Sequence, residues 1–239
     1  MGPVCGSEDR NDVRSSSINP RPGLYGRRAW PGSFLEERGV TGERTDRCVW
    51  NEHKNGEPIK STYTKCLVLY NHMSDFMENT EDGGAVYAWC VWANGTEVAY
   101  NWIHGEHGGY SFNPALYADD VTADFRYHHN VIWDVKLGIG WNKPRGGHEA
   151  YNNTIWGRNG SVTLTVNAEG CKVYNNLSNR YFKDTSNSEV KNNLTSGGFV
   201  GNPDKPTSGL DFRLATNSPA INAGVVIPGA TDGLSLIHI

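Results

Sequence analysis

The chain alternates short apolar stretches with polar breaks. Glu97-Val98-Ala99-Tyr100, Asn130-Val131-Ile132-Trp133 and Val162-Thr163-Leu164-Thr165-Val166 are β-branched or aromatic and are bounded by Gly, Asn and Asp. Branched and aromatic side chains suit a pleated, half-buried surface, so these stretches read as strands. No window of helical length sustains a 3.6-residue apolar period, which argues against stacked helical repeats.

One short phrase recurs between these strands. It stands as Tyr70-Asn71-His72, Tyr100-Asn101-Trp102, His129-Asn130-Val131, Asn152-Asn153-Thr154, Asn175-Asn176-Leu177 and Asn192-Asn193-Leu194. The second residue is Asn each time, at steps of 30, 29, 23, 23 and 17 residues. Self-similarity at such periods marks a solenoid. Three short strands with their turns fill one coil, and coils stacked about 4.8 Å apart let one Asn per coil bond to the next in a ladder. These asparagines are therefore expected to be structural.

His128-His129-Asn130-Val131-Ile132-Trp133 and Tyr151-Asn152-Asn153-Thr154-Ile155 resemble the repeats of right-handed parallel β-helix proteins of the pectate-lyase-like superfamily. The tail from Asp211 to Gly224 is similar to the segment that closes many secreted β-helix proteins. The resemblance covers about residues 66–233 and implies an all-β solenoid, for which five to six coils are expected. It also implies export, secreted or periplasmic, and a polysaccharide substrate. It leaves the chemistry open, because that superfamily holds lyases, hydrolases, esterases, epimerases and silent adhesins.

Composition changes this picture little. The formal charge of −4 gives no reason to expect nucleic acid or an anionic membrane as partner. No run of 18 apolar residues occurs, so no transmembrane helix is predicted, and a monomer is expected. The five cysteines show no CxxC pair and read as buried, unpaired thiols. Residues 1–60 are rich in Arg, Ser, Pro and Gly and read as an irregular or non-native arm; no apolar signal core follows Met1. The solenoid is expected over 61–200 and an extended segment packing on it over 201–233. Residues 234–239, Leu-Ser-Leu-Ile-His-Ile, read as a non-native tail, so the chain is expected to be a fragment.

The first two coils match closely. Tyr87 lies 16 residues after Asn71 and Tyr117 lies 16 after Asn101, whereas the third coil reaches Gly138-Ile139-Gly140-Trp141 sooner. Two long polar loops, 74–83 and 104–113, therefore leave neighbouring coils on one side and stop at the third. Loops held by a rigid scaffold are where functional groups concentrate.

Beside that step the sequence gathers ionisable and aromatic groups. Continuing the alignment sets Trp89-Cys90, Asp119-Asp120 and Asn142-Lys143 on successive coils. Glycoside hydrolysis needs two carboxyl groups flanking the bond, and Asp82 with Asp119 or Asp120 is the candidate pair. Tyr87, Trp89, Tyr117 and Trp141 are the candidate sugar-stacking rings, with His104 and His107 as polar contacts. In the alternative, uronate elimination, Asp119 and Asp120 would hold Ca²⁺, Lys143 would be the base and Arg145 would meet the substrate carboxylate. Otherwise no cofactor and no metal site are expected. A third reading is a non-catalytic carbohydrate-binding or adhesive solenoid. Adjacent strand residues face opposite ways, so at most one of Asp119 and Asp120 is expected to enter a groove.

Overall fold

The computed structural model describes residues 12–14, 59–60, 65–110, 112–158, 160–164, 170–180 and 188–227. Its strands wind into a parallel β-solenoid. After β1 (Asp12–Arg14), β2 (Ile59–Lys60) and β3 (Leu67–Leu69), the chain repeats one three-strand cycle. The first cycle is β4 (His72–Phe76), β5 (Val86–Ala88) and β6 (Val91–Ala99). The second is β7 (Trp102–Glu106), β8 (Pro114–Ala118) and β9 (Ala123–His128). The third is β10 (Val131–Trp133), β11 (Leu137–Trp141) and β12 (Glu149–Tyr151), and the fourth is β13 (Thr154–Trp156), β14 (Gly160–Leu164) and β15 (Lys172–Tyr174). β16 (Leu177–Ser178) and β17 (Glu189–Lys191) follow.

Three parallel sheets result. Sheet A runs β1-β4-β7-β10-β13-β16, sheet B runs β5-β8-β11-β14, and sheet C runs β2-β6-β9-β12-β15-β17 with β3 also on β6. Among the described residues four cycles are complete, so the solenoid has about four turns rather than the five to six expected. The sequence phrases count corners, and six corners enclose fewer complete coils. β1 and β2 show that the first sixty residues contribute edge strands. The rest of that arm, and the tail at 234–239, lie outside the described residues.

Every ladder Asn sits at the corner between sheets C and A. Asn71 Nδ2 donates to Asn101 Oδ1 at 3.0 Å, Asn101 to Asn130 at 3.0 Å and Asn130 to Asn153 at 3.0 Å. Asn153 and Asn176 continue to Asn176 and Asn193 at 2.8 and 2.9 Å. Each of these Oδ1 atoms also accepts the preceding ladder residue's backbone N–H. A buried amide thus spends its donors and acceptor at a bend where the strand ladders cannot reach.

The residue before each ladder Asn makes the bend. Tyr70, Tyr100, His129, Asn152, Asn175 and Asn192 all take left-handed backbone, φ 51–58°. Asn tolerates this conformation best among non-glycine residues, which accounts for the later Asn-Asn doublets. In the earlier coils the same position carries rings that stack, Tyr70 on Tyr100 at 5.1 Å and Tyr100 on His129 at 4.8 Å.

Inside, like stacks on like. Met73, Ile103, Ile132 and Ile155 share one register column of sheet A, and Val68, Val98, Tyr127, Ala150 and Val173 share one of sheet C. These columns belong to one apolar cluster that runs along the solenoid. Cys171 is a buried thiol whose pKa burial raises to about 12, and neither it nor Cys66 forms a disulfide. Cys90, expected as a free thiol, is disulfide-bonded. No helix among the described residues is long and apolar enough to cross a membrane.

Candidate functional site

The step in loop length stands where expected. The β4–β5 and β7–β8 connections span 77–85 and 107–113, whereas β10 and β11 are joined by 134–136 alone. Tyr87 and Tyr117 are register partners on sheet B, and their third-coil partner is Gly140. Gly84 lets the first loop settle on the second coil, since a Cβ there would run into the Pro114 carbonyl oxygen. Asp82 is fixed by its backbone N–H, which donates to Asn113 Oδ1 at 3.0 Å.

Two carboxylates, Asp119 and Asp120, meet at the corner between sheets B and C, and a third, Asp82, lies in the β4–β5 connection within reach of their charge. Asp119, only 7% exposed, is the hub. Tyr87 Oη donates to its Oδ2 at 2.8 Å; Tyr117 Oη, the Asp120 N–H and Asn142 Nδ2 donate to its Oδ1 at 2.9, 2.7 and 2.9 Å. Asn142 Nδ2 also reaches Asp120 Oδ1 at 3.0 Å, and Lys143 Nζ pairs with that same oxygen at 3.2 Å. Both aspartates therefore converge on one amide. The alternation expected of a strand fails here because the chain turns after Ala118, with Thr122 Oγ1 and N–H both donating to the Asp119 carbonyl.

Asp82 completes the group through charge. Partial burial, then the charges of Asp119 and Asp120, raise the pKa of its carboxyl from the ordinary aspartate value. The Tyr87 and Tyr117 hydroxyls are pushed far up, first by burial and then by Asp119, so both remain protonated donors.

Other expected members lie elsewhere. Trp141 is 0% exposed and points into the core against Tyr127 and His148, so it presents no face to a sugar. Tyr117 is 2% exposed, its ring enclosed by Tyr87 and Phe112. Its hydroxyl, not its face, serves the site. Tyr87 is half-buried, and Trp89 packs on Cys90 and Val121. Arg145 is exposed and anchored by its backbone N–H to the Thr122 carbonyl; its guanidinium has no ion-pair partner among the described residues. His107, in the β7–β8 connection, pairs with Asp75 of β4 at 3.1 Å, and His104 stacks on Trp133 on sheet A. Neither histidine joins the carboxylates through a described contact.

Asn142 is the contributor that sequence reasoning aligned but did not assign a role. Its place one coil beyond Asp119 was the available signal. A second unforeseen feature is Glu106, whose side chain is fully buried and pairs with Arg158 at 3.1 Å and Lys136 at 3.8 Å.

Comparison with family models, with curated proteins and with solved structures finds no match for this chain. What the geometry defines is a parallel β-solenoid with an asparagine ladder, a class compatible with carbohydrate-active or carbohydrate-binding proteins.

Proposed function

We propose that this is an exported, carbohydrate-active β-solenoid whose carboxylate corner hydrolyses glycosidic bonds of a polysaccharide. The observation that carries the reading is Asp82, a carboxyl whose pKa is raised by partial burial and by the charges of two further carboxylates held by different partners. Environments that separate the behaviour of neighbouring carboxyl groups are what acid–base division of labour requires. Asp82 is the general acid that protonates the leaving oxygen. Asp120, held by Asn142 and Lys143, is the base that activates water or the nucleophile that attacks the anomeric carbon. Asp119 accepts four hydrogen bonds and acts as a positioning residue for Tyr87, Tyr117 and Asn142.

The donor set argues against elimination assisted by Ca²⁺. Asp119 turns its oxygens to hydroxyl and N–H donors, and an ammonium already sits on Asp120, where a hard cation would need bare oxygens. Lys143 Nζ is tied to Asp120 at 3.2 Å, an ion pair that a base for C5 would have to leave.

The test is a panel of neutral and uronic polysaccharides, following new reducing ends together with the ultraviolet absorbance of an unsaturated product. Reducing ends without absorbance, reduced about a hundredfold or more in Asp82→Asn and Asp120→Asn, are expected. Turnover unchanged in both variants would remove the carboxylate assignment. Absorbance rising with the reducing ends would replace hydrolysis by elimination and move the chemistry to Lys143 and Arg145.

A further inference from the structure

The outer face of sheet A carries a column that the carboxylate corner does not use. His104, Trp133 and Trp156 are register partners on three successive coils. His104 stacks on Trp133 at 4.3 Å, while Phe199 and Phe212 from the C-terminal segment pack on Trp156 at 5.1 and 6.4 Å. The segment is tied down where Trp156 Nε1 donates to Asp204 Oδ1 at 3.0 Å. Between this segment and the sheet a groove of about 590 Å³ remains.

Trp156, only half-buried, gives the groove an apolar surface, and around it stand Asp134, Arg158, Asn179, Arg180 and Asp204. Several of these groups are held in place. Arg158 donates to the Glu106 carbonyl at 2.7 Å and to Glu106 Oε2 at 3.1 Å, so a buried carboxylate fixes its guanidinium. Asn179 exchanges two hydrogen bonds with the Gly157 backbone, at 3.1 and 2.9 Å. An aromatic surface beside oriented forked side chains offers what a sugar ring presents, an apolar face and pairs of equatorial hydroxyls.

Charge narrows the ligand class. Arg158 and Arg180 line the groove together with Asp134 and Asp204, two formal charges of each sign, and Arg158 is already paired with Glu106. His104 adds none near neutrality, because burial and neighbouring His72 lower its pKa. A polyanion gains nothing from such a groove. Coils repeat every 4.8 Å or so, close to the length of one pyranose unit, so a chain lying across them meets equivalent positions ring after ring.

We propose that the groove between sheet A and residues 203–207 is a second saccharide-binding site, which holds an uncharged oligosaccharide across the coils. It shares no residue with the carboxylate corner and stands whether or not that corner is catalytic. It would retain the chain on a polymer while another part of that polymer is engaged elsewhere on the solenoid.

The experiment titrates the full chain with cellohexaose, xylohexaose, mannohexaose and hexagalacturonate, using tryptophan fluorescence and calorimetry. At least one neutral hexasaccharide is expected to bind more tightly than hexagalacturonate. Its Kd should weaken about tenfold or more in Trp156→Ala and in Arg180→Ala, and stay within about twofold in Arg126→Ala on the outer face of sheet C. Trp156 also packs on Phe199 and Phe212, so Arg180→Ala and Asp204→Ala carry the test if Trp156→Ala unfolds. Three results would overturn the proposal: no neutral hexasaccharide binding, tighter binding of hexagalacturonate, or a Kd moved by Arg126→Ala and not by Arg180→Ala. Failure of hydrolysis with this binding intact would strike the carboxylate reading alone.

Discussion

The hydroxyl of Tyr87 reaches across one coil and donates to Asp119 Oδ2 at 2.8 Å. Tyr87 also stands over Tyr117 in the next coil, their rings 5.2 Å apart, and the Tyr117 hydroxyl takes the other oxygen of the same carboxylate. The stacking of coils thus converts one repeated sequence position into a two-pronged clamp. Tyr87→Phe removes one prong and leaves the ring. It is expected to slow hydrolysis by about tenfold, chiefly in kcat, with thermal stability nearly kept. Asp119→Asn should do more, since an amide replaces an acceptor oxygen with a donor and faces hydroxyls that must donate. Its Tm should fall as well as its rate, and equal rates for wild type and Tyr87→Phe would dismiss the clamp from the chemistry.

The ladder gives a graded prediction. Asn130 is fully buried, with Nδ2 on the Val98 carbonyl at 2.8 Å and on Asn153, and with Oδ1 accepting from Asn101. Asn130→Ala leaves buried donors and an acceptor without partners, each costing about 1–3 kcal/mol. Asn71 begins the ladder and is only half-buried. Asn71→Ala should therefore cost clearly less than Asn130→Ala in denaturant unfolding. Equal costs would mean that the ladder does not act through burial.

How much of this was legible in the chain depends on whether a feature repeats. Asn101 and Asn130 could be paired from sequence because both sit at one corner and each needs the other's amide. Tyr87 and Tyr117 could be aligned for the same reason of equal spacing. Trp141 departs from the repeat. Register pairs Tyr117 with Gly140, and Trp141 with Ala118, so a single residue of offset turns the indole from the surface into the core. The convergence of Asp119 and Asp120 needed the turn after β8, which strand alternation does not contain. The groove on sheet A was illegible because its wall at Asp204 lies 48 residues from Trp156, outside any repeat.

The outer face of sheet C carries alternating charge. Glu97, Arg126, Glu149, Lys172 and Glu189 are successive register partners. Arg126 lies 3.7 Å from Glu97 and 3.4 Å from Glu149, and Lys172 lies 3.1 Å from Glu149. These side chains are exposed or half-buried, so each pair is worth about 0–1 kcal/mol. Arg126→Ala should accordingly change stability little. Arg126→Glu sets three carboxylates on adjacent coils and should destabilise more than the alanine, by a margin that shrinks as salt screens the repulsion. Chemical denaturation with urea at low and high salt measures that margin, and a margin indifferent to salt would refute the electrostatic account.

His148 sets the response to acid. Its imidazole is fully buried against Trp141 and Phe125, with Nδ1 accepting the Phe125 N–H at 3.1 Å and Nε2 lying 3.2 Å from Thr122 Oγ1. A ring that accepts at Nδ1 carries its proton on Nε2 and donates to Thr122, whose hydroxyl donates in turn to the Asp119 carbonyl at 2.8 Å. Burial lowers the pKa of His148 from the ordinary 6.5 to about 3. Between those values the unfolded chain binds a proton that the folded chain refuses, so stability rises with pH across this window. The contribution is fully present above 6.5 and is lost as pH falls toward 3. His128 and His129, each lowered to about 4 chiefly by burial, act in the same direction. His148→Gln should lower Tm near neutrality, yet flatten without abolishing the fall of Tm from about pH 7 to pH 5. Parallel profiles for wild type and variant would show that His148 takes no part in the acid response. A flattened profile would mark the hydrogen-bond chain from His148 through Thr122 as the link between core protonation and the turn that holds Asp119.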